Sequence, residues 1–412
     1  MNLAHIKYRL SRVKFYFSVF ILALKYVKNT FRQMMVVLPE NDRKILFTLD
    51  DDRLFRDDDG SGRYPYLLLH LFCEAGYNVY LYKEMSFRKY YRLRVCGQFI
   101  YYLNNFKIIS RIPAKTDDMI YAFDTARPEL LQRKWKKLTY INILKPPSCK
   151  FGDPLWIPYP LQPRMFLNYW YRTINRCRKS KRKIKMFFGG NVHQGYYNNP
   201  ALHQYNQLTR LEGIKAAREL TKEVKYIEKY KKFSALLNSR NYTNACVLFG
   251  AGTKESQRLP MDRWFKILSQ SDFFLCLSGT DLPMCHNAIE AMAVGTIPVI
   301  SYPDWFFPTL EHKKNAIIYS DRDDLKEKIL EVLNMKPEEI LKLRKNVIEY
   351  YEKHLTGESF IKKHEALNEK LNTIMLHPRL KCTQEEVENS KEFMEEVQLY
   401  LKYASRYKIK KV

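Results

Sequence analysis

The 412-residue sequence has no pair of cysteines spaced as Cys-x-x-Cys, and its eight cysteines are scattered between Cys73 and Cys382. The spacing of a zinc site is therefore missing, and scattered cysteines in a chain of this length indicate buried free thiols in a reducing compartment. The sequence also lacks an apolar run of roughly 20 residues, the length needed to cross a bilayer. Its N-terminal apolar run, Phe15 to Leu24, has ten residues and is too short to span.

Acidic residues are missing from two stretches of the chain. Residues 1–36 contain seven Lys or Arg and no acid, and no acid occurs between Asp153 and Glu212. The whole chain carries 70 Lys or Arg against 44 Asp or Glu, a net charge of +26. Such an excess predicts an anionic partner, which can be a nucleic acid, a membrane surface or a phosphorylated ligand. No RNP-like, zinc-finger or helix-turn-helix pattern is present, so a nucleic acid is the least favoured of these partners.

The basic N-terminus has two open interpretations. One is a helix whose apolar face lies on an anionic membrane. The other is an ordinary helix docked on the body of the protein. A secretory signal peptide is disfavoured because the small-x-small cleavage pattern is absent.

Alternating strand and helix patterns fill the first half of the chain. A predicted strand at Lys44–Leu49 precedes a helix from Pro65 to Ala75, which Gly76 closes, and Asn78–Tyr82 reads as the next strand. This order is typical of a doubly wound parallel sheet. Further strands are predicted at 106–109, 119–123 and 138–143.

The second half repeats the alternation. Strands are predicted at 184–188, 245–249, 272–277, 297–301 and 315–319, and helices at 209–237, 261–270, 286–294 and 323–333. The fold class is therefore α/β, with two Rossmann-like doubly wound domains facing a cleft and a helical C-terminal region. The expected division is a basic helical segment at 1–36, a first Rossmann-like domain at 37–170, a basic linker at 171–185, a second Rossmann-like domain at 186–336 and C-terminal helices at 337–412.

The stretch SGTDLPMCHNAIEAMAVGTIPVIS, residues 278–301, carries a candidate binding site. A turn at Gly279 and Thr280 leads to a helix that begins near His286, and the N-terminus of a helix favours an anion such as a diphosphate. Glu290 lies about one turn into this helix. Its carboxylate accepts hydrogen bonds only, so it can receive the two hydroxyls of a ribose diol. The alternative is that Glu290 is a surface residue paired with a lysine.

This stretch resembles the exostosin-type signature of GT-B glycosyltransferases, in which a strand, a glycine turn, a helix with Glu-Ala and Gly-x-Ile-Pro-Val-Ile follow one another. The resemblance implies that Glu290 binds the ribose of a nucleotide-sugar donor and that Gly279 and Thr280 hold the diphosphate or the sugar. It also implies that the domain at 37–170 binds the acceptor and that the domain at 186–336 binds the nucleotide sugar. Such chains usually carry Arg at the position of Asn287, and retaining enzymes often carry Glu at that of Leu282. His286, Asn287 and Asp281 are the nearest substitutes, and the donor and the stereochemical outcome stay open.

Other loops supply further candidates. The predicted strand at 184–188 ends in Gly189, Gly190 and Asn191, on the side where open α/β sheets bind ligands. Arg258 is a candidate for binding the diphosphate, with His193 and Lys254 as alternatives.

Acidic residues after the first predicted strand are candidates for the general base. Asp51 or Asp52 could take the proton of the acceptor hydroxyl, and the adjacent Asp50 shares this position. The alternative is that these side chains solvate a loop or cap a turn. The acidic triplets also fit the Asp-x-Asp pattern of metal-dependent GT-A enzymes, but the two-domain pattern favours GT-B, so no metal and no cofactor are expected.

The expected function is therefore that of a glycosyltransferase. It would move a sugar from a nucleotide-sugar donor to a carbohydrate or lipid-linked glycan acceptor, in bacterial surface polysaccharide or lipooligosaccharide synthesis. The expected location is cytoplasmic and peripheral, on the anionic inner face of the cell membrane. The alternative is a non-catalytic binding protein or membrane scaffold with the same fold.

Overall fold

The computed structural model describes residues 3–50, 63–92, 98–142, 155–159, 161–251, 258–280, 282–369 and 371–376, with side chains at all of these except 3–15, 63–64 and 91–92. The chain forms two compact units. Unit 1 comprises residues 1–157 and 361–412, and unit 2 comprises residues 158–360.

Unit 1 contains a seven-stranded parallel sheet of order β3-β2-β1-β4-β5-β13-β6. Its core strands carry continuous apolar runs because both faces of the sheet are covered; for example, every residue of β4 is buried. The strands are β1 (Lys44–Thr48), β2 (Asn78–Tyr82), β3 (Phe106–Ile109), β4 (Met119–Phe123), β5 (Lys137–Asn142), β6 (Leu155–Trp156) and β13 (Leu371–Met375).

The helices of unit 1 differ greatly in length. The longest is the 33-residue helix at the N-terminus. The helices of this unit are α1 (Leu3–Met35), α2 (Arg63–Glu74), α3 (Phe87–Arg92) and α4 (Pro128–Leu131), with a 3₁₀ turn at Phe99–Tyr102.

Unit 2 contains a six-stranded parallel sheet of order β12-β11-β10-β7-β9-β8. Strands β10 and β11 are buried at every residue, as expected for parallel strands covered by helices on both faces. The strands are β7 (Ile184–Asn191), β8 (Val224–Ile227), β9 (Thr243–Ala251), β10 (Ser271–Cys276), β11 (Ile297–Ile300) and β12 (Ile317–Ile318).

Local sequence signals start several helices of unit 2. Thr209 and Glu212 form a reciprocal capping box at the start of one helix, and the Asp321 carboxylate accepts from two backbone N–H groups at the start of another. The helices are α5 (Pro163–Leu167), α6 (Ile174–Arg178), α7 (Gln194–Tyr197), α8 (Arg210–Arg218), α9 (Tyr230–Asn238), α10 (Trp264–Leu268), α11 (His286–Ala293), α12 (Arg322–Asn334) and α13 (Pro337–His354), followed by α14 (Gly357–Ala366), within which the unit boundary falls.

Two elements differ from the sequence-based expectation. The predicted helix at 209–237 is wrong in its middle, because Val224–Ile227 forms strand β8 and pairs with β9. Residues after 337 are not wholly helical either, because β13 pairs with β5 over five residues. This return of the chain places β13 within the sheet of unit 1. Charged residues surround both β8 and β13, so neither segment has a clear strand pattern in the sequence. Each becomes a strand because it pairs with another strand of its sheet.

Candidate functional site

A pocket of about 340 Å³ lies within unit 2, at the carboxyl ends of β7 and β9 and the N-terminus of α11. This is the edge of an open parallel sheet where ligands bind, and the volume suits a small molecule. Seven of the residues predicted from the sequence line it: Gly189, Gly190, Asn191, Arg258, His286, Asn287 and Glu290.

Glu290 belongs to the wall of this pocket and is fully buried, at 0% exposure. The backbone N–H of Gln162 donates to Glu290 Oε1 at 2.9 Å, and the indole N–H of Trp264 donates to Glu290 Oε2 at 2.6 Å. The interpretation of Glu290 as a surface residue is therefore wrong. Since the side chain has no surface open to water, a ligand must shift a neighbouring group to reach it.

A buried arginine, Arg210, lies at another part of the same pocket. Only 3% of Arg210 is exposed, and its guanidinium donates to the backbone oxygens of Ser278 and Asn191, each at 3.1 Å. It also lies 3.9 Å from the ring centroid of Tyr197, a cation–π contact. None of the described ion pairs includes Arg210, so its positive charge has only neutral acceptors among the described residues. An anion bound in the pocket would supply a negatively charged partner for this guanidinium.

The N-terminus of α11 faces the pocket through His286 and Asn287. The residue before the helix, Cys285, makes no side-chain hydrogen bond to the first turn, so the helix begins without a side-chain cap. The side-chain amide of Asn287 donates to the Gly189 oxygen at 3.3 Å and ties this turn to β7. The positive end of the helix dipole is thus directed at a site that already holds a buried guanidinium.

The other end of α11 is held by the basic run that the sequence marked as a linker. Arg178 donates to the Ala293 oxygen at 2.8 Å. Arg182 donates to the oxygens of Val294 and Gly295 and to Ser271. These contacts satisfy the carbonyl groups that a helix leaves unpaired at its C-terminus. Two of the run's arginines therefore fix the helix that carries Glu290.

Not every predicted residue joins the pocket. Gly279 and Thr280 are not among its lining residues. The Gly279 N–H donates to the Leu282 oxygen at 3.1 Å, and a side chain at this position would meet that same oxygen, so the glycine serves a tight turn. Asp51, Asp52, Lys254 and Asp281 lie outside the described residues. Asp50, which precedes Asp51 in unit 1, accepts from Arg127 at 2.9 and 2.6 Å, so its carboxylate is already held by a cation.

The two donors to Glu290, Gln162 and Trp264, and the buried Arg210 were not predicted from the sequence. They come from the start of α5, the start of α10 and the start of α8, and only the fold brings them to one pocket. For Arg210 a weak signal existed, because it directly follows a Thr that begins a capping box. Nothing local to Gln162 or Trp264 indicates a binding role.

The pocket of unit 2 lies at the carboxyl edge of a doubly wound sheet, the edge at which α/β domains of this architecture bind their ligands. Residues 178–354, which include most of this pocket, match the family model of glycosyl transferases group 1. This match and the two parallel sheets confirm the expected two-domain, Rossmann-like GT-B fold. The protein is a glycosyltransferase, as the sequence predicted.

Solved structures of low sequence identity are similar to the chain. Anabaena HepE in complex with UDP is 10% identical, with 78% of this chain and 98% of that chain covered and a TM-score of 0.39. Sucrose-phosphate synthase from Thermosynechococcus elongatus is 12% identical, with 78% and 98% covered and a TM-score of 0.36. A variant of S. aureus TarM in complex with fondaparinux, α-GlcNAc-glycerol and UDP is 14% identical, with 61% and 55% covered and a TM-score of 0.34. No curated protein sequence matches the chain significantly.

Proposed function

We propose that the pocket of unit 2 binds the nucleoside diphosphate part of a sugar nucleotide. One observation carries this proposal: a buried carboxylate, Glu290, and a buried guanidinium, Arg210, line the same pocket. A ribose diol supplies two hydroxyl donors for the carboxylate, and a diphosphate supplies the negative charge for the guanidinium. The N-terminus of α11 adds a second attraction for the diphosphate.

Transfer by this site is proposed to need no metal ion. Arg210, the dipole of α11 and the exposed Arg258 at the pocket can together balance the charge of a diphosphate. Activity is then expected to persist in the presence of EDTA. Loss of activity in EDTA that Mg²⁺ or Mn²⁺ restores would overturn this part of the proposal.

The acceptor is proposed to be a carbohydrate or a lipid-linked glycan, in bacterial surface polysaccharide or lipooligosaccharide synthesis. The sequence of residues 278–301 supports an exostosin-like donor helix within the glycosyltransferases. The general base is proposed to be Asp51 or Asp52, since Asp50 is already bound to Arg127. Substituting each aspartate singly by Asn should separate them: the base is the one whose loss lowers kcat and leaves donor affinity unchanged.

The decisive experiment measures donor binding directly. A thermal-shift panel of nucleoside diphosphates and their sugars identifies the ligand, and calorimetry then gives its affinity for the wild type and for Glu290→Ala. Two hydrogen bonds to a charged acceptor are lost, and each contributes about 1.5 to 3 kcal/mol. The affinity is therefore expected to fall by at least about 100-fold.

The matched control is Glu349→Gln, which alters an exposed carboxylate on α13 and should leave the affinity unchanged. Circular dichroism establishes that each variant is folded. Equal donor affinity in folded Glu290→Ala and in the wild type would refute the proposed role of Glu290. No binding of any nucleotide by the wild type would refute the pocket assignment as a whole.

A further inference from the structure

An uncovered apolar face runs along the second half of α1. Six large side chains at alternating spacings of three and four residues form it, and between 52% and 71% of each is exposed. Soluble proteins rarely leave an apolar stripe of this length open to water, and one that persists marks an interaction surface. The apolar face of α1 consists of Phe17, Phe20, Leu24, Val27, Phe31 and Met34.

The opposite side of the same helix is fixed to unit 1. Asn29 and Gln33 are buried there: the Asn29 side-chain amide donates to the Tyr90 hydroxyl at 2.9 Å, and Gln33 Oε1 accepts from the Ile108 N–H at 3.0 Å. The Tyr26 hydroxyl adds a bond to the Met85 oxygen. These residues lie roughly 130° to 170° around the helix from the centre of the apolar face, since each residue advances the helix by about 100°. The docked side therefore holds the apolar face away from the unit's core.

Basic residues border the apolar face. Lys25, Lys28 and Arg32 are exposed and lie along one edge of it, and residues 1–36 contain seven Lys or Arg and no acid. Long basic side chains beside an apolar stripe place their charges at the level of lipid headgroups while the stripe enters the acyl boundary. No helix among the described residues is long and apolar enough to cross a bilayer.

A second copy of the chain fits this face poorly. The spacing of the six apolar residues is the heptad spacing of a coiled coil. A dimer through this face, however, would bring the basic edges of two copies together, and residues 1–36 contain no acid to pair with them. The charge of the helix therefore complements an anionic surface and opposes self-association.

We infer that the apolar face of α1 and its basic edge form a docking site for an anionic phospholipid surface, with the helix lying in the plane of the membrane. Phe17, Phe20 and Phe31 enter the interfacial layer, and Lys25 and Lys28 contact phosphate or carboxylate headgroups. This inference concerns unit 1 and does not rest on the proposed donor site of unit 2. The two interpretations of the basic N-terminus, a docked helix and a membrane-bound helix, are then compatible. One side of α1 contacts unit 1, and the other side is the one that binds lipid.

Vesicle sedimentation with the full chain tests this inference. Vesicles of phosphatidylcholine with phosphatidylserine should bind the wild type, and phosphatidylcholine alone should bind it at least about tenfold more weakly, since each basic residue near the surface contributes about a factor of five. Phe20→Ser with Phe31→Ser, and separately Lys25→Glu with Lys28→Glu, should each lower the partition coefficient at least about tenfold.

Helix α13 offers matched controls, because Leu341 is 60% exposed and Lys342 and Lys345 are exposed beside it. The variants Leu341→Ser and Lys342→Glu with Lys345→Glu should bind vesicles like the wild type. Equal binding by the α1 and α13 variants, or no binding by the wild type, would overturn the inference. A wild-type dimer in light scattering that Phe20→Ser with Phe31→Ser converts to monomer, with vesicle binding unchanged, would instead assign the face to a second copy.

Discussion

The indole N–H of Trp264 donates to Glu290 Oε2 at 2.6 Å, in a pocket wall where the carboxylate is fully buried. A buried charged acceptor that loses a donor is destabilised more than a neutral one. Trp264→Phe keeps the aromatic ring and removes the N–H, so we expect the free energy of unfolding to fall by about 1.5 to 3 kcal/mol. Urea denaturation measures this change, and nucleotide affinity should fall with it.

Trp135→Phe is the matched control for this prediction. The Trp135 indole N–H donates to the neutral oxygen of Leu130 at 2.7 Å, within unit 1. Its loss should cost about 0.5 to 1.5 kcal/mol and leave nucleotide affinity unchanged. A smaller loss of stability in Trp264→Phe than in Trp135→Phe would contradict the assigned role of the Trp264–Glu290 bond.

The buried guanidinium of Arg210 should distinguish a diphosphate from a nucleoside. Arg210→Gln removes the charge, so the affinity for the nucleoside diphosphate is expected to fall roughly 10- to 100-fold. The affinity for the matching nucleoside, which has no phosphate, should change little. Calorimetry with both ligands gives the comparison, and the exposed Arg240→Gln serves as the control. Equal losses for both ligands would point to a structural effect rather than to phosphate binding.

Arg182 should contribute strongly to stability although it belongs to a highly basic run. Its guanidinium donates to the Ser271 oxygen at 2.8 Å and to the Val294 oxygen at 3.1 Å. Arg182→Gln leaves buried carbonyl groups without donors, so we expect a loss of about 1 to 3 kcal/mol in urea denaturation. The neighbouring Lys181 is exposed, and Lys181→Gln should change stability by less than about 0.5 kcal/mol. Similar losses of stability in Arg182→Gln and Lys181→Gln would contradict the structural role assigned to Arg182.

The sequence predicted the parts of the site that are contiguous in the chain. The turn, helix and strand of residues 278–301 have strong local signals, and Glu290 stands out as a carboxylate in an apolar helix. Strand β8 was missed because its residues are only partly buried and lie among lysines and glutamates. The environment of Glu290 was missed for a different reason: its donors, Gln162 and Trp264, lie 128 and 26 residues away in the chain. Such partners depend on tertiary packing, which no local periodicity encodes.

Gly295 closes α11 with a backbone φ of +72°, a conformation that side chains disfavour. A Cβ there would lie 2.9 Å from the Ile348 side chain, so Gly295→Ala combines backbone strain with a clash. Gly76 closes α2 with φ +82° and has open space around it. We expect Gly76→Ala to cost about 1 to 2 kcal/mol, the backbone term alone, and Gly295→Ala to cost more. Urea denaturation measures the loss of stability in both variants. Equal losses would show that the Ile348 side chain moves aside at no cost in free energy, contrary to this prediction.

Acidic pH should weaken unit 1 through His364. Burial, with the nearby Lys137 cation, lowers the pKa of His364 from 6.5 to about 3, and its Nε2 lies 3.1 Å from the Thr139 hydroxyl. Between these two pH values the unfolded chain binds a proton at this site that the folded chain does not. The free energy of unfolding therefore falls as the pH drops from about 6.5 toward 3, and this stability is fully present above 6.5.

His364→Gln removes this titration and keeps a polar side chain beside Thr139. Its unfolding free energy is expected to be lower than that of the wild type at pH 7.5, because the packing at a fully buried site is altered. Its decline with acid should be shallower than that of the wild type. The difference between the two proteins must then shrink as the pH falls from 6.5, since only the wild type takes up the extra proton on unfolding. Urea denaturation at a series of pH values measures this difference. Parallel curves for the two proteins would show that His364 is not the group responsible.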